Sequence, residues 1–282
     1  MNNFASESIS RRSFLKSSFC AACGCLISSP LFGQSTEIKP ADTKLPRDYY
    51  YLHRKEILNI FRDTNQGAQQ WLTSGYGKKT AGEVTREAER RFEDLIPLLP
   101  DVGGENNMMI EEIPIIACYV AYYSPMKSRG IKAEDLGRMI YDLYAVQLKQ
   151  IPRARALAEG EKKFTPEYIA RLKKWAAWTQ QKEYPANWTA TFISGDGKDF
   201  DYGYDYTECA LVKYLKAHDA FEVAPYVCLN DFIRSHTFGT GLARTKTLAQ
   251  GDSVCNFRYK KGRPVTQNWE TEIGIIQAET IS

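Results

Sequence analysis

Between Tyr206 and Tyr259 the chain gathers three cysteines, an aspartate and an arginine. The segments read Tyr-Thr-Glu-Cys209, Pro225-Tyr-Val-Cys228-Leu-Asn-Asp231, Gly241-Leu-Ala-Arg244-Thr and Gly251-Asp-Ser-Val-Cys255-Asn-Phe. Thiols, a carboxylate and a guanidinium are groups that make chemistry, and nothing comparable occurs in the preceding half. Cys209 is a candidate nucleophile if Thr207 caps a helix, because the first turn of a helix favours a thiolate. Such a nucleophile needs a base, for which His218, His236 and Asp231 are candidates. Cys228 and Asp231 stand three apart and share a face if one helix carries both. An Asp on a partly apolar face needs a partner, either Arg244 or a ligand.

The cysteine separations include no Cys-x-x-Cys pair and carry no zinc or iron–sulfur signature. Cofactor and metal content stay open. A metal, if present, would take Cys209, Cys228 and Cys255, and a disulfide between two of these is the other structural reading.

The elements that must position these groups change character along the chain. Tyr49–Trp71, Thr85–Leu99, Ala133–Gln150 and Thr165–Lys182 read as amphipathic helices, the last with Thr165 as N-cap and Pro166 at its first position. Ile110–Tyr123 is apolar nearly all round, as a buried central helix is. Trp188–Ile193 and Phe200–Tyr206 alternate around the turn cluster Ser194–Lys198 and predict a β-hairpin. A helix from Thr207 to about His218 and another from Phe221 to His236, closed by Gly239, follow. Thr240–Ala249 and Ser253–Tyr259 flank Gly251-Asp252, a two-residue hairpin signal. That turn sets Leu248 opposite Cys255 and Arg244 opposite Tyr259, so Arg244 and Cys255 project from one side of the ribbon. The order of helices, hairpin, two helices and hairpin is α+β.

Ser10-Arg11-Arg12-Ser13-Phe14-Leu15-Lys16, a short apolar stretch from Phe19 to Ile27 and small residues near Gly33 match a twin-arginine export signal. Residues 1–33 are therefore expected to be a leader, 34–47 a linker and 48–282 a single α+β domain. The leader's apolar run is too short for a stable membrane span, and none is expected in the mature form. Its expected partners are the twin-arginine translocase during export and afterwards a small-molecule substrate, with a periplasmic or extracytoplasmic location. Loss of the leader removes Arg11, Arg12 and Lys16 against Glu7, which lowers the formal charge from +3 to +1. Such a near-neutral chain has no bulk attraction for nucleic acid or anionic lipid. Cys118, Cys209, Cys228 and Cys255 remain, too few for a disulfide scaffold. Cys118 falls in the apolar helix and reads as inert packing.

The stretch 206–258 resembles the signature region of the L-2-amino-thiazoline-4-carboxylic acid hydrolase family. The matching residues are Glu208-Cys209, Pro225, Cys228, Asp231, Gly241, Arg244-Thr245, Thr247-Leu248-Ala249, Gly251 and Cys255-Asn256-Phe257-Arg258. The family usually carries Asp where this chain has Asn256. The resemblance implies hydrolytic opening of a thiazoline ring to N-carbamoyl-cysteine, the work of a hydrolase acting on a C–N bond of a cyclic amidine. On that reading Cys209, Asp231 and Cys255 are catalytic, while Arg244 clamps the substrate carboxylate and Cys228 lies against the substrate. Export suggests a second reading, a periplasmic metal- or small-thiol-binding protein without hydrolase activity.

Overall fold

The computed structural model describes residues 48–281. The expected leader and linker lie outside the described residues. A short helix α1 (Asp48–Leu52) leads into α2 (Arg54–Leu95), which is continuous except at Gly77, whose backbone is non-helical at φ 81° and ψ 158°. Only glycine adopts that conformation without strain, and here the chain folds back on itself. Phe61 and Phe92 stack across the two arms at 4.2 Å between ring centres, and Arg62 reaches Glu89 and Glu93. The two helices read from the sequence, Tyr49–Trp71 and Thr85–Leu99, correspond to these arms, the second of which begins earlier and ends at Leu95, with a 3₁₀ turn over Ile96–Leu98.

Helix α3 (Glu112–Lys127) runs through the core with almost every side chain buried, which explains its lack of a polar face. It packs against α2 and α4 (Ala133–Lys149). Helix α5 (Arg153–Lys162), which sequence periodicity missed, precedes α6 (Pro166–Thr179). Thr165 caps α6 by accepting the Tyr168 N–H at 3.3 Å. Trp175 on α6 donates to Asn107 at 3.0 Å, and Asn107 donates to Asn187 at 2.9 Å. The Gln180 amide donates to the Ala190 carbonyl at 2.7 Å and ties the end of α6 to the sheet.

Four antiparallel strands, β1 (Thr189–Ser194), β2 (Tyr202–Glu208), β3 (Leu242–Ala243) and β4 (Cys255–Tyr259), form one sheet in the order β1-β2-β4-β3. The two expected hairpins are joined through β2 and β4. The register pairs Tyr202 with Tyr259, Tyr204 with Phe257 and Tyr206 with Cys255. These alternate positions share a buried face and form an aromatic ladder in which the Tyr204 and Tyr259 hydroxyls meet at 3.0 Å. The tyrosine series is thus packing, each ring pair contributing about 0.5–1.5 kcal/mol beyond its burial. The architecture is α+β, as the order of elements predicts.

Helices α7 (Ala210–Ala217), α8 (Ala224–Cys228) and α9 (Asn230–Phe238) connect β2 to β3, and α10 (Trp269–Ile281) ends the described chain. The segment read as one helix over Phe221–His236 is a 3₁₀ turn (Phe221–Val223) followed by α8 and α9, with the division at Leu229. Gly239 closes α9 in the left-handed conformation, as expected. Among the described residues no helix is long and apolar enough to cross a membrane.

Candidate functional site

The strand-to-helix junction after β2 places Cys209. Thr207 belongs to β2, and Cys209 itself is the N-cap of α7, so the expected position in the first turn is corrected by two residues. The preceding Glu208 is gripped by Lys182 at 2.6 Å and by Lys213, and Lys213 also donates to the Pro185 and Asn187 carbonyls at 2.8 Å each. Glu208 therefore fixes the corner from which the Cys209 side chain projects.

Asp231 and Arg244 meet from different elements. Arg244 Nη1 donates to the Asp231 carboxylate at 2.5 Å and Nη2 to the Cys228 carbonyl at 2.9 Å. Its guanidinium lies between the Phe232 and Phe257 rings, 4.9 and 5.0 Å from their centres. The Arg244 side chain is 2% exposed and Asp231 28%, so the carboxylate is the more exposed member of the pair. The fork expected to clamp a substrate carboxylate is thus engaged inside the protein. Burial between aromatic faces, with one donation to the carboxylate and one to the Cys228 carbonyl, makes this a pair whose loss is expensive.

Cys228 ends α8 and Asp231 lies in the first turn of α9, so they reach the same place across the Leu229 break and not along one continuous helix. The Gly251-Asp252 hairpin is also corrected. Residues Leu248–Gln250 form a 3₁₀ turn, Gly251 is left-handed, and Leu242, not Arg244, pairs with Tyr259. The register differs from expectation by two residues, an even slip that leaves faces unchanged. Arg244 and Cys255 accordingly stay on one side. Asn256 holds the loop between them: its Oδ1 accepts the Thr245 and Lys246 N–H groups at 2.9 and 2.8 Å, and its Nδ2 donates to the Thr245 hydroxyl at 2.9 Å. Gly241, at φ 61°, begins this segment so close to the Lys260 carbonyl that a Cβ would sit 2.0 Å from its oxygen.

Cys209, Cys228, Asp231, Arg244 and Cys255 all line one cavity of about 110 Å³, walled otherwise largely by apolar and aromatic side chains. His218 and His236 do not line it; His218 ends α7 against the Tyr214 ring, where burial lowers its pKa. All four described cysteines are free. Burial pushes the thiols of Cys209, Cys228 and Cys255 each up to about 12. For Cys209 the amides of Val212 and Leu211 pull the other way, and desolvation wins. Burial thus opposes the expected helix-terminus thiolate at Cys209. Among the described residues no group of three or more His, Cys, Asp or Glu is disposed to hold a metal, and the set Cys209, Cys228 and Cys255 does not form one.

The cavity has a second polar end that motif reading missed. Glu112, in the first turn of α3, is buried, and its carboxyl is pushed up to about 8 by desolvation. Arg234 faces it at 4.0 Å from α9, and Asn230 on the same helix donates to the Tyr119 hydroxyl at 2.6 Å. The available sequence signal was a charged residue at the head of an otherwise apolar helix.

A family model described as L-2-amino-thiazoline-4-carboxylic acid hydrolase matches residues 112–259, just over half of the chain. The chain belongs to that family. The matched span opens at Glu112 and closes at the end of β4, so this hydrolase-family region contains both polar ends of the cavity. No curated protein and no solved structure gives a match. Within this member of the L-2-amino-thiazoline-4-carboxylic acid hydrolase family, Glu208, Gly241 and Asn256 hold backbone in place, while Asp231 and the thiols face the cavity.

Proposed function

We propose that the chain is an exported hydrolase that opens a thiazoline or related cyclic amidine ring, with L-2-amino-thiazoline-4-carboxylate to N-carbamoyl-cysteine as the type reaction. The observation that carries this reading is an ion-paired carboxylate, Asp231, presented to an apolar cavity by a buried arginine in a chain of this family. Asp231 takes one proton from the attacking water, whose oxygen adds to the carbon between sulfur and nitrogen. The tetrahedral adduct collapses with cleavage of the C–S bond, and the second water proton passes to the departing sulfur. The ring nitrogen keeps the amidinium proton. For N-carbamoyl-cysteine to carry a free thiol the C–S bond must break, and this replaces the C–N cleavage expected from the reaction class.

Water activated by Asp231 is preferred over attack by Cys209 because desolvation raises that thiol and so disfavours the thiolate. Cys209, Cys228 and Cys255 then shape the pocket wall against the ring sulfur. The test is release of thiol from L-2-amino-thiazoline-4-carboxylate by the purified mature chain. Asp231→Asn is expected to lower kcat by about 10²–10⁴-fold. A wild-type chain that releases no thiol, or an Asn variant as fast as wild type, would end this reading.

A further inference from the structure

Glu112 stands in the cavity with an oxygen that the protein does not satisfy. Its position at the head of α3 favours an anion, yet its side chain is only 6% exposed and its Oε1 has no hydrogen-bond partner. Arg234 Nη1, at 4.0 Å, is beyond hydrogen-bond reach of that oxygen. Both side chains line the cavity. A buried polar atom left in that state is unfavourable, and a ligand group entering the cavity relieves it.

We propose that Glu112 and Arg234 form the recognition couple for a zwitterionic cyclic amidine, Glu112 accepting from the amidinium N–H groups and Arg234 donating to a carboxylate carried on the carbon next to the ring nitrogen. This rests on the ring-opening reading for the class of ligand and adds the residues that hold it. An amidinium presents two parallel N–H donors, and a carboxylate accepts both. A ligand whose ring nitrogen and carboxylate share one carbon carries opposite charges side by side, the arrangement that an acid and a guanidinium 4.0 Å apart complement. Arg234 lies about one turn along α9 from Asp231, so a ligand held there has its amidinium carbon within the same cavity as the proposed base.

The couple has a signature in protons. Desolvation holds the Glu112 carboxyl up to about 8; Arg234 and Lys163 act against the rise, Asp231 and Glu111 with it. At pH 7 the free protein therefore carries Glu112 as the acid, and an amidinium that binds its carboxylate must displace that proton. Below pH 8 the affinity then falls about tenfold for each pH unit.

The experiment is calorimetry on the mature chain with three probes: L-2-amino-thiazoline-4-carboxylate, 2-amino-thiazoline without the carboxylate, and thiazolidine-4-carboxylate without the amidine. Titrations in two buffers of different ionisation enthalpy measure protons released. Because ring opening of an amidinium itself frees one proton, the titrations use the Asp231→Asn chain as well as wild type; the expected result in both is release of close to one proton on binding of the first two probes at pH 6.5, and about tenfold weaker binding at pH 6 than at pH 7. Glu112→Gln should remove both the release and the pH dependence. Arg234→Gln should weaken both amidines, because Arg234 acts against the rise of the Glu112 carboxyl, and should weaken the carboxylate-bearing amidine at least tenfold more than 2-amino-thiazoline. Binding by the Asp231→Asn chain without proton release overturns the proposal whether or not the Glu112→Gln chain folds, as does an equal loss for both amidines in Arg234→Gln. Proton-linked binding without thiol release would overturn the hydrolase reading and leave the couple standing. Thiol release without proton-linked binding would do the reverse.

Discussion

Arg244 holds Asp231 from between two aromatic rings, so the guanidinium of the signature region aims a carboxylate and is itself almost wholly buried. Arg244→Met should lower stability by about 3 kcal/mol in denaturant unfolding, because it strands a carboxylate whose partner was buried. Arg244→Lys should recover little of this. A lysine is a point charge that cannot reach Asp231 and the Cys228 carbonyl in parallel while stacking on both rings. Equal midpoints for wild type and the Lys variant would contradict this two-acceptor role.

The thiols should behave as apolar packing. With Cys209 pushed up to about 12 by burial, Cys209→Ser is expected to keep thiol-releasing turnover within about tenfold of wild type. Native Cys209, Cys228 and Cys255 should react with iodoacetamide at pH 8 about 10³-fold more slowly than the unfolded chain, since the thiolate is the reacting species. Loss of all turnover in a folded Cys209→Ser chain would restore that thiol as the nucleophile.

Glu112 also sets a pH dependence of stability. Its folded-state pKa of about 8 lies above the ordinary value of 4.5, so the folded chain binds the extra proton. The contribution is fully present below pH 4.5 and is lost as pH rises through about 8. Between those limits the slope from this one group is at most about 1.4 kcal/mol per pH unit. Thermal midpoints for Glu112→Gln should therefore fall less than those of wild type from pH 5 to pH 8, and parallel profiles would refute the assignment.

Position 256 should tolerate the family's usual residue. The Asn256 Oδ1 accepts two backbone N–H groups, which an aspartate also does, and the Thr245 hydroxyl can turn to donate. Asn256→Asp is expected within about 1 kcal/mol of wild type with turnover retained, whereas Asn256→Ala should cost about 1–2 kcal/mol. A large loss of turnover in the Asp variant alone would show that this side chain does more than hold the loop.

Export is tested separately from catalysis. Replacing Arg11 and Arg12 together by Lys should leave the full-length chain in the cytoplasmic fraction of a bacterial host, while the unaltered chain reaches the periplasm. Equal periplasmic yields would remove the twin-arginine reading.

The chemistry-bearing residues were legible because side-chain type survives errors in local geometry. Arg244 and Cys255 stay on one side of the ribbon although the turn differs from the predicted one, since a register error of two residues preserves the face. Cys228 and Asp231 share a site although no single helix carries both, because the Leu229 break keeps near-helical backbone angles of φ −67° and ψ −22°. The N-cap of α7 falls at Cys209 although Thr207 has the better capping side chain, because pairing of β2 with β1 and β4 overrides that local preference. Glu112 was not legible. A glutamate at the head of an apolar helix reads as a surface residue near a helix dipole, and only the arrival of Arg234 from α9 shows that its surroundings are closed.

The desolvation that raises the Cys209, Cys228 and Cys255 thiols also bears on their oxidation. Thiol–disulfide exchange runs through the thiolate, and groups that titrate at about 12 are ionised in roughly one molecule in 10⁵ at neutral pH. Three free cysteines on one cavity would then be slow to form a bridge across it even where the surroundings are oxidising.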